Sequence, residues 1–283
     1  MIKAAALVAL VLLGPGAAAR QGPVAKISVG YCTGLKNLEA AKAAGFDYVE
    51  LSTTEIAALS DADFDAAAAR IKALGIATPA ANLFLPGALK VTGPEINPEQ
   101  QMAHVNKALA RLHTLGVQVL VFGSGGARRV PEGFSRDEAF KQLADFGRRA
   151  AVAAQPLGIT IAIEPLRRQE SNIINTAAEG LALVEAVGHP NFQLMIDFYH
   201  LASEQEDPAI VLRARDHIRH LHVANPQGRV FPATWEEFDY APFFANLRTI
   251  GYDKRISVEV SAVTDLAAQA PPAIALLRRA FER

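Results

Sequence analysis

The stretch LGITIAIE (residues 157–164) contains the unit from which the fold of this chain is predicted. Gly158 precedes a short run of small and β-branched apolar residues, and the run ends on the carboxylate of Glu164. A glycine suits the left-handed turn that closes a helix, and a short apolar run suits a buried parallel strand. A carboxylate at the end of a buried strand is costly to desolvate unless a cation or a proton compensates it. The stretch therefore predicts a helix-to-strand transition and a binding partner for Glu164.

The same pattern recurs along the chain. Short apolar or β-branched runs predict eight strands, at residues 26–31, 47–52, 76–83, 117–123, 159–164, 192–197, 218–223 and 256–260. Helical periodicity is found between them, for example at residues 61–75, 99–116, 136–158 and 264–283. Several predicted helices end on a glycine just before the next strand, namely Gly45, Gly75, Gly116 and Gly158. Eight βα units predict an α/β fold, a single-domain (β/α)8 TIM barrel, because an open doubly wound sheet more often has five or six strands.

Composition and charge limit the possible functions. The chain has 283 residues, 51% of them hydrophobic and 20% charged, which is typical of a globular protein with a sizeable core. The formal net charge is −1, so the chain lacks the overall positive charge that drives binding to nucleic acid. We therefore expect no nucleic-acid partner. Cys32 is the only cysteine, which excludes an intramolecular disulfide.

The N-terminus has the pattern of a secretory signal peptide. Lys3 precedes the apolar residues 4–13, which are followed by Gly14-Pro15 and then by small residues. We expect residues 1–20 to be a signal peptide, residues 21–283 to form the TIM-barrel catalytic domain, and the protein to be exported, with the periplasm as its destination. The apolar run is too short to span a bilayer comfortably, so no stable membrane span is expected after processing. The alternative is a hydrophobic first helix of the fold.

Chemical groups suited to metal binding follow four strands in the second half of the predicted barrel. Active sites of TIM barrels lie at the C-terminal ends of the strands. There the chain places Glu164, Asp197, His222 and Glu259. Three carboxylates and one imidazole around one barrel mouth would repel each other or remain unpaired without a cation, and such ligands suit Mn²⁺, Co²⁺, Mg²⁺ or Zn²⁺. We therefore predict one divalent metal ion as the cofactor. The alternative, for each carboxylate considered alone, is a salt bridge to a nearby arginine or a hydrogen bond that caps a turn.

The predicted cluster suggests a reaction. A divalent ion that chelates the carbonyl and neighbouring hydroxyl of a sugar acidifies the intervening C–H bond and stabilises an enediolate. Glu164 and Glu259 would act as the acid/base pair, one removing a proton and the other returning one. Return to the same carbon epimerises the sugar, and return to the adjacent carbon isomerises it. The sequence leaves both outcomes open.

The motifs EPLRRQES (164–171), DFYH (197–200), HLHVANPQGR (220–229) and SVEVS (257–261) resemble those of the sugar isomerase/epimerase superfamily of xylose-isomerase-like TIM barrels. The resemblance covers nearly the whole mature chain and is strongest to the ketose 3-epimerases. It implies a metal site at Glu164, Asp197, His222 and Glu259, and substrate contacts from Glu170, His200 and Arg229. This chain has RRQE where NRFE is usual in the epimerase motif, so the motif does not identify the sugar.

The loop after the fourth predicted strand, FGSGGARRVPEG (122–133), has no acidic residue before Glu132. Its glycines together with Arg128 and Arg129 suggest either a small anion-binding nest or, slightly favoured, a flexible solvated loop.

Further residues fall on the predicted active face, where they either contact the substrate or pack in the core or at the rim of the barrel: Tyr31, Cys32, Glu50, Asn82, Phe84 and Trp235. We expect His104, His113 and His189 to be surface residues. His217 and His220 are expected to orient neighbouring groups, and His220 to support the metal site.

Three other functions compete with a sugar isomerase or epimerase. An endonuclease-IV-like enzyme would need more metal ligands and a basic surface, so it is disfavoured. An exported lyase or hydratase acting on 3-keto glycosides would use the same metal chemistry and is the main alternative. A sugar-binding protein without activity would not need both Glu164 and Glu259. Association through outer helices into a homo-oligomer is possible, although no interface stripe stands out.

Overall fold

A computed structural model describes residues 27–282 of the chain. Its parallel strands form a closed barrel in sequence order, and β1 pairs with β8 to close the ring. The strands are β1 (Ser28–Thr33), β2 (Tyr48–Ser52), β3 (Ala77–Asn82), β4 (Val119–Phe122), β5 (Thr160–Ile163), β6 (Phe192–Asp197), β7 (Ile218–Val223) and β8 (Arg255–Val258). All eight overlap the predicted strands. The predicted single-domain (β/α)8 TIM barrel is confirmed.

Helices connect the strands. They are α1 (Leu38–Ala43), α2 (Thr53–Ala58), α3 (Asp61–Leu74), α4 (Pro98–Thr114), α5 (Gly125–Arg128), α6 (Arg136–Ala154), α7 (Ala177–Val187), α8 (Phe198–Ser203), α9 (Ile210–Ala214), α10 (Ala241–Thr249) and α11 (Leu266–Glu282). The helix predicted over 136–158 ends earlier, at Ala154, and continues as a 3₁₀ turn over Gln155–Leu157. Pro156 explains the change, because proline has no N–H to donate to the preceding α-helical turn.

Glycines end the helices as the sequence predicts. Gly75 has φ +65° and donates its N–H to the carbonyl of Ile71, and Gly158 has φ +67°. Gly45 and Gly116 also have positive φ. These turns redirect the chain from an outer helix into the next strand.

Two apolar layers support the barrel. Val119, Val121, Ala162 and Met195 form a separate buried cluster in the barrel interior, while the larger cluster packs the strands against the helices. The ring of Tyr48 occupies the space beside Gly30, where a Cβ atom would lie only 2.1 Å from it. The filled interior therefore leaves room for chemistry only at the ends of the strands.

The predicted signal peptide, residues 1–20, lies outside the described residues. Between residues 27 and 282, no helix combines the length and the apolarity needed to cross a bilayer.

Candidate metal and substrate site

Four neighbouring strands bring the predicted metal ligands to one place. Glu164 follows β5, Asp197 ends β6, His222 lies near the end of β7, and Glu259 follows β8. One side-chain ligand atom from each of the four lies within 4.8 Å of the others. The carboxyl ends of adjacent parallel strands meet at the same rim, which explains why residues far apart in sequence converge here.

Three of these groups present buried atoms that have no hydrogen-bond partner among residues 27–282: Oε1 of Glu164, Oδ2 of Asp197 and Nδ1 of His222. The Nδ1 atom of His222 lies 3.3 Å from Oε1 of Glu164 and 3.4 Å from Oε2 of Glu259. Unpaired buried polar atoms are costly, and three that converge indicate a missing partner shared by all of them. Carboxylate oxygens and an imidazole nitrogen are suitable ligands for a divalent ion, so the residues fit one.

The electrostatics agree with a site that needs a cation. Burial raises the pKa of Asp197 to about 7, and the nearby carboxylates of Glu259 and Glu164 act in the same direction, against Arg229. Burial also raises the pKa of Glu164, with a further contribution from Glu259. Burial alone would raise the pKa of Glu259, but His222 and Arg229 lower it to about 2. The three carboxyl groups therefore lie close together, and the positive side chains around them do not fully compensate their negative charge.

Arg229 is held at the rim of the site. Its guanidinium lies 2.5 Å from Oε2 of Glu259 and 3.6 Å from Oδ2 of Asp197. It also lies over the ring of Tyr199, at 4.7 Å from the centroid. Sequence reasoning missed Tyr199, although it stands in the DFYH motif between the predicted ligand Asp197 and His200.

His200 and Glu170 border the same space. The Nε2 atom of His200 is buried without a hydrogen-bond partner and lies 3.6 Å from Oδ2 of Asp197. The backbone N–H of Arg167 donates to Nδ1 of His200 at 3.3 Å, so Nε2 carries the ring hydrogen and points into the site. Burial lowers the pKa of His200 to about 3, with Arg229 adding to the effect, so the ring is neutral. Glu170 lies 2.8 Å from the Arg167 guanidinium and 3.5 Å from that of Arg229.

An open cavity of about 280 Å³ lies over this cluster and is lined by some of its members. Its polar side chains are Asn82, Glu164, Glu170, Arg229 and Glu259. Leu83, Leu85, Leu166, Ser124 and the glycines 87, 123, 125 and 126 form the rest of the lining. Asn82 donates to Oε1 of Glu259 at 3.0 Å, so its predicted place on the active face is correct. The cavity is close to the lower end of the size range of small-molecule sites and has a mixed polar and apolar lining.

Arg128, in the loop after β4, has neither of the roles considered from sequence. Arg128 is fully buried, and its guanidinium donates to the carbonyls of Phe122 and Glu164 at 3.2 and 2.7 Å. It is therefore neither solvated nor available to an anion. Gly123 allows Glu164 to approach closely, because a Cβ atom there would lie 2.3 Å from Oε2 of Glu164. Arg129 is exposed and donates to the carbonyl of Glu170.

The candidate aromatic residues pack against other rings. Tyr31 stacks on Phe46 with ring centroids 5.2 Å apart, and Phe84 meets Phe122 edge to face. The ring of Trp235 packs beside that of Tyr240. Since none of the three lines the cavity, packing is the alternative that the structure supports.

Glu50 lies beneath the site instead of in contact with the cavity. It is completely buried, and its carboxylate contacts Nε2 of both His220 and His222, at 2.7 and 2.9 Å. Burial alone would raise its pKa, but the charges and hydrogen bonds of the two histidines hold the pKa well below the usual range. His220 therefore contacts Glu50 and not the cluster itself, so its support of a metal site stays a prediction. Cys32 lies nearby, with Sγ 3.7 Å from Nε2 of His222.

The remaining histidines lie away from the cavity. His113 is exposed as predicted, whereas His104 and His189 are partly buried. His104 contacts the carbonyl of Phe84 at 2.9 Å, because α4 packs over the loop after β3. His217 contacts the side chain of Gln193, in agreement with its expected orienting role.

Comparison with known proteins adds to this geometry. A family model described as "Xylose isomerase-like TIM barrel" matches residues 38–280. An L-ribulose 3-epimerase of Mesorhizobium japonicum is 30% identical over 230 residues, which are 79% of this chain and 74% of that protein. A 3-dehydro-D-guloside 4-epimerase of Escherichia coli is 27% identical over 168 residues, covering 58% of this chain and 63% of that protein.

A solved structure agrees with these sequence matches. The D-allulose 3-epimerase of Methylomonas sp. superposes with a TM-score of 0.80 at 25% identity, covering 90% of this chain and 98% of that one. All three proteins are named as epimerases, and epimerases belong to the isomerase class. The predicted enzyme class, an isomerase, is confirmed.

Proposed function

Because the chain belongs to the xylose isomerase-like TIM barrel family, we propose that it is a divalent-metal-dependent sugar epimerase or isomerase that acts on a ketose by proton transfer through an enediolate. The observation that carries the proposal is the convergence of three buried atoms without a partner among residues 27–282, from Glu164, Asp197 and His222, beside Glu259, where Glu164 and Glu259 also line an open cavity. The epimerase relatives support the choice of a sugar substrate.

Glu164, Asp197, His222 and Glu259 are the proposed ligands of one Mn²⁺, Co²⁺, Mg²⁺ or Zn²⁺ ion. A divalent ion bound there would polarise a substrate carbonyl and its neighbouring hydroxyl, which would acidify the C–H bond of the carbon that bears the hydroxyl. The full burial of Asp197 and His222 excludes bulk water from the polar groups, which strengthens their interaction with charge that develops in the cavity.

Glu164 and Glu259 are the proposed acid/base pair. They follow β5 and β8 and approach His222 of β7 from two strand ends, so both line the cavity where a sugar would bind. One carboxylate removes the proton of the activated C–H bond, and the other group delivers a proton to the resulting enediolate. Delivery to the opposite face of the same carbon inverts its configuration, which is epimerisation.

Glu170, His200 and Arg229 are the proposed substrate-binding residues. The Nε2–H of His200 has no acceptor of its own in the site and is available to a sugar oxygen. Arg229 brings a fixed positive charge beside Glu259, and its stacking on Tyr199 restricts its rotation. These contacts orient the sugar before any proton moves.

The test is proton NMR in D₂O with mature protein loaded with Co²⁺ or Mg²⁺ and a panel of free ketoses and aldoses. Deuterium should enter one sugar carbon with the wild-type protein and not with Glu259→Gln. The labelled carbon and the product formed distinguish 3-epimerisation from aldose–ketose isomerisation. Absence of exchange with every free sugar would count against the proposal.

A second candidate function is action on 3-keto glycosides, by epimerisation or elimination. Two observations favour it: the E. coli relative is named for a 3-dehydro-guloside, and three leucines and four glycines make up much of the cavity lining, which suits an aglycone. The same assay with a 3-keto glycoside separates the two possibilities, because elimination consumes the glycoside whereas epimerisation conserves it.

We also propose that residues 1–20 direct export to the periplasm. N-terminal sequencing of protein recovered from the periplasmic fraction should give a start near Arg20 or Gln21. Recovery of full-length protein in the cytoplasm would contradict export.

A further inference from the structure

A second layer of polar side chains lies directly beneath the proposed metal ligands. Glu50 of β2, His220 of β7 and Ser257 of β8 are each completely inaccessible to solvent. They form a closed group, because Oε2 of Glu50 accepts from Ser257 at 2.6 Å and contacts Nε2 of His220 at 2.7 Å. Tyr48 completes it through a 2.7 Å hydrogen bond between its hydroxyl and that of Ser257. A buried carboxylate this well satisfied has a fixed position and orientation.

His222 connects this layer to the cavity. Its Nε2 atom lies 2.9 Å from Oε1 of Glu50, while its Nδ1 atom has no hydrogen-bond partner and faces Glu164 and Glu259. The 2.9 Å contact is a hydrogen bond in which the carboxylate oxygen accepts, so Nε2 carries the hydrogen. When the ring is neutral, that leaves the lone pair on Nδ1, the atom that faces the other proposed ligands.

We infer that Glu50 is a positioning residue for the metal site: its contact with Nε2 fixes the ring of His222 so that Nδ1 is the ligand atom. This inference rests on the proposed function, because it requires that the four groups bind an ion. Carboxylates that hold the remote nitrogen of a ligand histidine raise the basicity of the ligand and fix its orientation.

The structure offers a matched comparison at the same nitrogen. The Sγ atom of Cys32 also approaches Nε2 of His222, but at 3.7 Å, and thiols are weak hydrogen-bond partners. If any change next to His222 weakened metal binding, substitution of Cys32 would lower the metal affinity as much as substitution of Glu50. If the contact with the carboxylate positions the ring, only substitution of Glu50 should lower the metal affinity.

The experiment measures Co²⁺ affinity by isothermal titration calorimetry for the full-length wild-type protein, Glu50→Gln and Cys32→Ser. Glu50→Gln keeps the size of the side chain and removes its charge, and we expect it to bind Co²⁺ about 10- to 100-fold more weakly. Cys32→Ser should bind Co²⁺ as the wild type does. Equal affinity of Glu50→Gln and wild type would overturn the inference, and failure of the wild type to bind would overturn the proposed function with it.

A second measurement does not depend on the folding of a variant. The ¹⁵N NMR spectrum of the Zn²⁺-loaded wild-type protein, labelled at histidine, should show His222 with its hydrogen on Nε2 and none on Nδ1. A hydrogen on Nδ1 in the loaded protein would contradict the assignment even if the affinities changed as expected. Circular dichroism of metal-free Glu50→Gln shows whether a lost affinity reflects lost folding.

Discussion

Strands β1–β4 and strands β5–β8 build equal halves of one closed barrel, but they bring different chemistry to its mouth. The second half supplies the four proposed metal ligands, each at or next to a strand end. The first half supplies Asn82, which donates to Glu259, and Glu50, which lies beneath His222. The loop after β4 adds Gly123, which allows the side chain of Glu164 to approach closely, and Arg128, which donates to the backbone carbonyl of Glu164.

The difference indicates a division of labour. Groups proposed to react or to bind the ion are confined to one half, and groups that fix their positions come mainly from the other. A substitution in the second half should therefore affect the reaction directly. A substitution in the first half should act through geometry or stability, and the following predictions test that distinction.

The largest effect on activity is expected from Glu164→Gln and Glu259→Gln. Each removes one member of the proposed acid/base pair, and general acid/base groups contribute typically about 10²- to 10⁴-fold to a rate. Each variant should lower kcat in that range in a steady-state assay with the best substrate of the panel. A variant that retains near wild-type kcat would remove that glutamate from the mechanism.

The largest effect on stability in the first half is expected from Arg128→Met. The change leaves the buried carbonyl of Glu164 without its donor, at a cost of about 1–3 kcal/mol, whereas the carbonyl of Phe122 still accepts from the backbone N–H of Glu164. Burial lowers the pKa of Arg128 only to about 10, so the charge is present at neutral pH and contributes to these bonds. Urea unfolding of metal-free protein should show the loss.

Arg129→Met is the matched control, because the neighbouring arginine is exposed. Its free energy of unfolding should stay within about 0.5 kcal/mol of the wild type, as is usual for surface substitutions. Equal losses for the two variants would mean that the burial of Arg128 is not what stabilises the loop.

Metal binding should stabilise the folded protein and depend on the second half. A ligand at 100 times its Kd adds about 2.7 kcal/mol, which appears as a higher Tm when Co²⁺ is added after EDTA treatment. Asp197→Asn should remove most of this increase while remaining folded. Glu132→Gln, which changes an exposed carboxylate outside the cluster, should keep it.

The smallest effect is expected from Asn82→Ala. It removes one hydrogen bond to a charged carboxylate, at 3.0 Å from Glu259, so a loss of about 1.5 kcal/mol or roughly tenfold in kcat/KM is expected. The thermal shift with Co²⁺ should be nearly unchanged. A loss as large as that of Glu259→Gln would place Asn82 in the reaction itself and end the distinction between the halves.

Local patterns were sufficient to predict the barrel and the residues that form the cluster. Each strand is a short apolar run, helix ends are marked by glycines such as Gly75, and the carboxyl ends of parallel strands must meet. Glu164 and Asp197 were recognisable because a carboxylate at the end of a buried strand is unusual.

Contacts across the barrel were not predictable from one sequence. Glu50 and His222 meet across 172 positions of the chain, and no local periodicity encodes that pairing. Arg128 was misjudged because arginine is almost never fully buried unless it is paired, and here backbone carbonyls accept from its two terminal nitrogens, Nη1 and Nη2. Tyr199 was overlooked because only its packing under Arg229 gives it a place in the site.

The most direct test of the account is anomalous diffraction from crystals of the protein soaked in MnCl₂, with data on both sides of the manganese edge. We expect one strong peak within bonding distance of Glu164, Asp197, Glu259 and Nδ1 of His222. A peak bound instead by Cys32, Glu50 and Nε2 of His222, or no peak at either cluster, would contradict the central claim that the second half of the barrel holds the reactive ion.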